Sequence, residues 1–97
     1  MKLDEKRRKH LRTLGHDLRP VVMVAGQGLK DSVRQELEQA LAHHELIKVK
    51  VSVGDRKVRD ALLQEIAAST GAELIQRVGN MGLFFRRNPE KPVVQFP

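Results

Sequence analysis

Apolar residues recur along this chain with two different periods, and the switches between them mark its elements. Over residues 4–16, Leu3, Arg7, Leu11 and Leu14 share one helical stripe, with the Arg7 stem able to lie along it. Lys6, Arg8, Lys9 and Arg12 occupy the opposite surface, and Gly15 suits the helix end. Residues 17–20 connect onward, and Pro20 biases Arg19 toward an extended backbone. Residues 21–25 form an apolar run of strand length, closed by a turn at Gly26-Gln27-Gly28. Leu29, Val33, Leu37, Ala40 and Leu41 then return to helical spacing. Asp31 and Ser32 stand near the start of that helix, where acceptors and negative charge help. Residues 45–53 alternate cleanly: Ile47, Val49, Val51 and Val53 point one way, Leu46, Lys48, Lys50 and Ser52 the other. Asp55 is the expected N-cap of a third helix, whose apolar face is Val58, Ala61, Leu62, Leu63 and Ile66 and whose end is Gly71. Residues 73–78 and 82–87 read as two strands of a hairpin turning at Gly79-Asn80-Met81.

The predicted order is therefore α-β-α-β-α-β-β. Strands that alternate with helices imply parallel pairing, and the final hairpin adds an antiparallel pair. The expected architecture is a single α/β domain with a four-stranded mixed sheet packed with helices. The chain has 97 residues, close to one domain in length. Residues 1–88 form the expected domain. Residues 89–97 are read as a Pro-containing extended tail that packs through Val93, Val94 and Phe96.

Charge then narrows the partner. Lys and Arg number 18 against 12 Asp and Glu, a formal net charge of +6. A small basic domain attracts polyanions, nucleic acid first and an acidic membrane surface second. No apolar run approaches the ~18 residues of a membrane helix, and no apolar signal core follows the basic N-terminus, so the expected location is the cytoplasm. The absence of cysteine excludes a disulfide framework and a thiolate zinc site. The aromatic set is three Phe with no Tyr or Trp, too few for a base-stacking platform. Contact with nucleic acid should therefore fall to Lys, Arg and backbone N–H groups reading phosphate and shape.

Candidate chemistry is correspondingly sparse. The Gly26-Gln27-Gly28 turn lies between a strand and a helix, where free backbone N–H groups favour a phosphate, and Lys30 and Arg34 follow within the first helical turns. A plain strand-to-helix turn would need the same glycines for its backbone angles. Leu29 after Gly28 breaks a Walker loop, and Asp31 breaks a dinucleotide fingerprint, so an enzyme of either kind is not expected. Gly79 to Gly82 spell a literal GxxG, but between two strands, where a hairpin turn is the ordinary explanation. His43 and His44 are adjacent, do not converge on a helix, and predict no metal site. The N-terminal segment concentrates charge: Lys2, Lys6, Arg7, Arg8, Lys9 and Arg12 stand against Asp4 and Glu5. Were the 26–28 turn to lie beside the first helix, these residues would join Arg19 and Lys30 in one basic patch. A DNA-binding module or a protein-interaction module could use the same charge.

Three segments carry a resemblance: Leu18-Arg19-Pro20-Val21-Val22, Ala25-Gly26-Gln27-Gly28-Leu29, and His43-His44-Glu45-Leu46-Ile47-Lys48-Val49-Lys50. With Gly79 through Leu83-Phe84-Phe85-Arg86, they resemble the CRM (chloroplast RNA splicing and ribosome maturation) domain in its free-standing bacterial YhbY-type form, over residues 3–88. The resemblance implies an RNA-binding α/β fold similar to the C-terminal domain of translation initiation factor three. It also implies association with precursors of the large ribosomal subunit, and it places the family's GxxG loop at residues 25–28. Ala25 stands where that loop usually has its first glycine, and Lys30 where a helix-capping threonine is common. The expected contacts to structured RNA, ribosomal RNA above all, are Lys6, Lys9, Arg12, Arg19, Gly26, Gln27, Gly28, Lys30, Arg34 and Arg86. The expectation is a non-catalytic, cofactor-free, metal-free monomer.

Overall fold

The computed structural model describes residues 2–97. Its elements are α1 (Glu5–Gly15), β1 (Pro20–Ala25), α2 (Asp31–His44), β2 (Leu46–Ser52), α3 (Arg56–Thr70), β3 (Glu73–Val78) and β4 (Met81–Phe85). This is the expected α/β order. The sheet runs β1-β2-β4-β3, with β1 parallel to β2 and the remaining pairs antiparallel.

The alternation in β2 divides the interior into two layers. Ile47, Val49 and Val51 join Val22 and Val24 under α2 and α3, together with Leu37, Leu41, Leu63, Ile66 and Phe84. Leu46 faces the other way and joins Leu11 of α1, Ile75, Leu83 and Phe85 in a smaller layer that also takes in Val94. Thus α1 packs on one sheet face, over β2, β3 and β4, while α2 and α3 pack on the other.

Helix ends follow the local chemistry. Asp4 caps α1 by accepting from the Arg7 N–H at 2.9 Å, and Asp55 caps α3 by accepting from Lys57 and Val58 at 2.8 and 3.1 Å. Gly71 ends α3 as expected. Gly15 ends α1 as expected and also has a packing role. It is the last helical residue, and a Cβ there would lie 2.5 Å from Leu83 Cδ2, so its smallness lets α1 rest on the sheet. The contact stripe of α1 is correspondingly rotated toward Leu11 and Gly15. Leu14, expected on that stripe, is exposed, and Arg8, expected on the far side, bonds Glu73 and the Leu74 carbonyl.

The strand expected over 45–53 begins one residue late, because Glu45 is the cap of α2. Its backbone is left-handed (φ 61°) and its side chain is fully buried. The carboxylate accepts from the N–H groups of Asn88 (2.6 Å), Val93 (2.7 Å) and Val94 (2.7 Å) and from Arg87 Nη1 (3.0 Å). The last strand correspondingly stops at Phe85 rather than residue 87: Arg86 turns to Glu38 and the Thr70 carbonyl, and Arg87 to Glu45 and the Val94 carbonyl. Residues 88–97 fold back on the domain. Val94 is buried and Phe96 meets Phe85 edge-on, while Val93 remains exposed.

Burial pushes the Glu45 pKa up, but the three backbone N–H bonds and the Arg87 charge together hold it below the ordinary value. A lowered folded-state pKa contributes stability above the unfolded-state value, and that stability is lost as pH falls through the folded value. Glu45→Gln should cost about 2–4 kcal/mol at neutral pH. In urea melts at a series of pH values, the gap between wild type and variant should narrow as pH drops below the ordinary glutamate range. A gap that is constant with pH would show that the carboxylate charge is not what holds the tail.

Candidate nucleic-acid interface

Parallel pairing brings two strand-to-helix turns to one end of the sheet. Ala25 lies opposite Ser52, so the 26–30 turn entering α2 and the 53–55 turn entering α3 emerge together. The β3–β4 turn joins them, with the Val51 N–H donating to the Asn80 carbonyl at 2.8 Å. In open α/β sheets the crevice beyond the carboxyl ends of parallel strands is where ligands gather.

At this end the 26–30 turn is tightly built. The Gly28 N–H donates to the Ala25 carbonyl at 3.0 Å, and the Lys30 N–H to the Gly28 carbonyl at 3.2 Å. Gly28 has φ +81°, a region that side-chain-bearing residues rarely adopt. Gly26 has open space around a would-be Cβ, so the surface beside it is free for an approaching group. Lys30 is the N-cap of α2, and no side chain caps that helix. The first amides of α2 therefore face outward with the positive end of the helix dipole, whereas Asp55 already occupies those of α3.

Ion pairing sorts the cations. Every ion pair among the described residues is made by an arginine. Three of the expected contact residues are committed this way: Arg12 to Glu5, Arg34 to Glu65 at 3.2 Å, and Arg86 to Glu38 at 2.8 Å. The Arg12 guanidinium, by hydrogen bond and charge, holds the Glu5 carboxyl below its usual value. Lys6, Lys9, Arg19 and Lys30 are exposed and take no part in these pairs.

The structure does not gather the expected residues into one patch. Gly26, Gln27, Gly28, Lys30 and Arg34 sit at the turn end. Lys6, Lys9 and Arg12 ride on α1, where Lys9 and Arg12 line a shallow groove with Thr13, His16, Asp17 and Gln76. Arg19 lies beside the start of β1, whose Pro20 is level with Lys48 in mid-sheet. Arg86 follows Phe85, which pairs with Leu46 at the far end. The 26–28 turn does not lie beside α1, because α1 covers β2, β3 and β4 while α2 and α3 hold the other face.

Sequence reasoning missed Arg56 and Lys57. Both are exposed, make no ion pair, and begin α3 at the same end as Lys30. The signal was present as Asp55-Arg56-Lys57 after a strand, but it needed the parallel β1–β2 pairing to place it. Aromatic rings add nothing at this end: Phe84 and Phe85 are buried, and Phe96 packs against Phe85 and His10. Among the described residues no His/Asp/Glu cluster could hold a metal, and no helix is long and apolar enough to cross a membrane.

These features define a class: a small basic α/β domain that presents uncapped amides and unpaired cations beyond the ends of parallel strands. The chain belongs to the CRS1/YhbY (CRM) domain family, whose model matches residues 3–86. It is 44% identical over 90 residues to the probable RNA-binding protein PA4753 of Pseudomonas aeruginosa, covering 93% of this chain and 86% of the relative. It is 40% identical over 95 residues to a Haemophilus influenzae protein named RNA-binding protein, covering 98% and 95%. The solution structure of SAV1595 from Staphylococcus aureus matches with a TM-score of 0.83 at 26% identity, over 99% of this chain and 100% of that one.

Lys30 has the extended backbone of a capped N-terminus (φ −72°, ψ 161°) without a capping side chain. Lys30→Ser should therefore raise stability by about 1 kcal/mol, read as a higher urea midpoint at unchanged slope. An unchanged midpoint would mean that the α2 amides are satisfied in some other way.

Proposed function

We infer that this chain is a non-catalytic RNA-binding protein. Its target in this reading is structured ribosomal RNA in precursors of the large subunit, bound by a monomer in the cytoplasm. The observation that carries the reading is the uncapped α2 N-terminus with unpaired Lys30 beside it, in a +6 chain of the CRM family whose relatives are named as RNA-binding proteins. The Gly26-Gln27-Gly28 backbone and the α2 amides meet a phosphate, and Lys30, Arg56 and Lys57 neutralise its neighbours. Lys6, Lys9 and Arg19 extend contact along a second stretch of backbone on the α1 side, and Arg12 joins them by exchanging the exposed Glu5 for phosphate. Arg34 reaches RNA only by exchanging Glu65 for phosphate, and Arg86 by leaving Glu38, so these two contribute least. Specificity comes from RNA shape, because Phe84 and Phe85 are buried and Phe96 packs against Phe85.

The test is a salt titration of binding to large-subunit ribosomal RNA fragments, with matched duplex DNA alongside. A phosphate binder loses affinity with a log–log slope of about 0.7–0.9 per contact. Persistent preference for the ribosomal RNA supports the reading. Equal affinity for DNA reduces it to general charge, and no binding to either polymer moves it to a protein partner.

Two variants refine the site. Lys30→Glu should leave the fold intact, weaken RNA binding roughly tenfold and remove about one contact from the salt slope. Arg86→Ala should lower the urea midpoint through loss of the Glu38 and Thr70 bonds while leaving RNA affinity within about twofold. Wild-type affinity in Lys30→Glu would remove the α2 turn from the interface.

A further inference from the structure

Half of one sheet face has no helix over it. α1 ends at Gly15 against Leu83, in mid-sheet. Beyond that point Met23, Lys50, Met81 and Val78 form one cross-strand row spanning all four strands. Val22, Val24, Val49 and Val51 point into the layer under α2 and α3, so alternation turns Met23 and Lys50 to the α1 side. Arg77 pairs with Asp60 of α3, which turns Val78 the same way. Val21, Met23 and Val78 are 52%, 60% and 63% exposed. Lys50 separates Met23 from Met81 and Val78 in that row, so the apolar patch at the β1 edge is Val21 with Met23, and exposed apolar side chains beside an open strand fit a docking surface.

The same patch ends at an unprotected strand edge. β1 is an outer strand, and Pro20–Ala25 contain no charged side chain. Native proteins usually blunt such an edge with charge, bulges or a cover. The opposite edge, β3, follows that rule: it carries Glu73 and Arg77, and Arg8 of α1 bonds Glu73 and the Leu74 carbonyl. β1 has Pro20 and a register irregularity between Pro20 and Val22 at its start, and from Val22 to Ala25 it pairs regularly with neither charge nor cover on its outer side.

Charge selects the occupant. Lys48 and Lys50 are the charged side chains that the strands place on this open half, with Arg19 at its margin, and no carboxylate accompanies them from β1, β2 or β4. A second copy of the chain would bring another +6 and a second pair of lysines onto the same face. An RNA would find mostly aliphatic side chains, with the His44 imidazole at the margin beside Val21 and Lys48. We propose that β1 and the open half-face dock an extended segment of another protein in which aliphatic side chains alternate with carboxylates. The segment adds as a strand beside β1, covers Val21 and Met23, and directs its carboxylates to Lys48 and Lys50. This surface adjoins the 26–30 turn but uses the β1 edge and the α1-side face instead of the turn amides.

The experiment uses the full ¹⁵N-labelled chain and a short capped peptide alternating valine with glutamate. Saturable amide shifts confined to β1, Lys48 and Lys50 are expected, with Val78 on the far edge strand unmoved. Met23→Lys and Lys50→Gln should each weaken binding by about five- to tenfold while keeping a dispersed spectrum. A matched valine–lysine peptide should not bind. The proposal is overturned if the glutamate peptide fails to saturate by about millimolar concentration. It is also overturned if an RNA hairpin shifts the same amides and displaces the peptide, or if those amides shift with protein concentration alone as the mass doubles.

Discussion

The parallel pairing of β1 with β2 is the constraint on which this structure depends. Parallel neighbours cannot be joined by a tight turn, so the chain must cross back over the sheet, and α2 is that crossover. The crossover commits α2 to one face and drives Val22, Val24, Ile47, Val49 and Val51 into a single layer beneath it. α3 then joins α2 on the same side, which leaves the other face to α1 and the returning tail. An eleven-residue helix is too short to cover four strands. The exposed upper half-face and the bare β1 edge are thus consequences of the same pairing that builds the core.

That pairing also creates the turn end. Two helices that begin at the carboxyl ends of parallel strands aim their N-termini the same way. One is capped by Asp55 and closed to ligands; the other, at Lys30, is open. A lysine at a cap position gives up a hydrogen bond that serine or threonine would make, and leaves a positive charge beside unsatisfied donors. Local stability and anion affinity are therefore opposed at this residue. The division of labour between arginine and lysine follows the same logic. Arginine's planar fork makes directed pairs, and here it ties α1 to β3, α2 to α3, and, through Arg87 after β4, the α2–β2 junction to the tail. The lysines at positions 6, 9, 30 and 57 stay solvated and available to a polyanion.

Glu45 anchors the opposite end. It stops α2, starts β2, and collects three backbone amides and one guanidinium from residues 87–94. A buried carboxylate is tolerable only when its lone pairs are fully used, and the returning chain supplies the donors. The tail is thereby tied to the α2–β2 junction.

The sequence determined the element order, the two layers of β2 and both ends of α3, because these follow from periodicity and from local capping chemistry at Asp55 and Gly71. It also carried the family, through segments such as His43 to Lys50, and the glycine-bounded turn at 26–28. What it could not determine is anything that depends on residues far apart in the chain. Gly15 reads as a helix stop, and only the fold adds its contact with Leu83. Glu45 reads as the first residue of a strand, yet it serves donors more than forty positions away. Arg34 and Arg86 read as free cations, and only the fold supplies Glu65 and Glu38 to occupy them. Arg56 and Lys57 read as a solvated helix start until β1 and β2 align and set them beside Lys30. Local chemistry names the donors and charges, and tertiary packing decides which of them remain unspent.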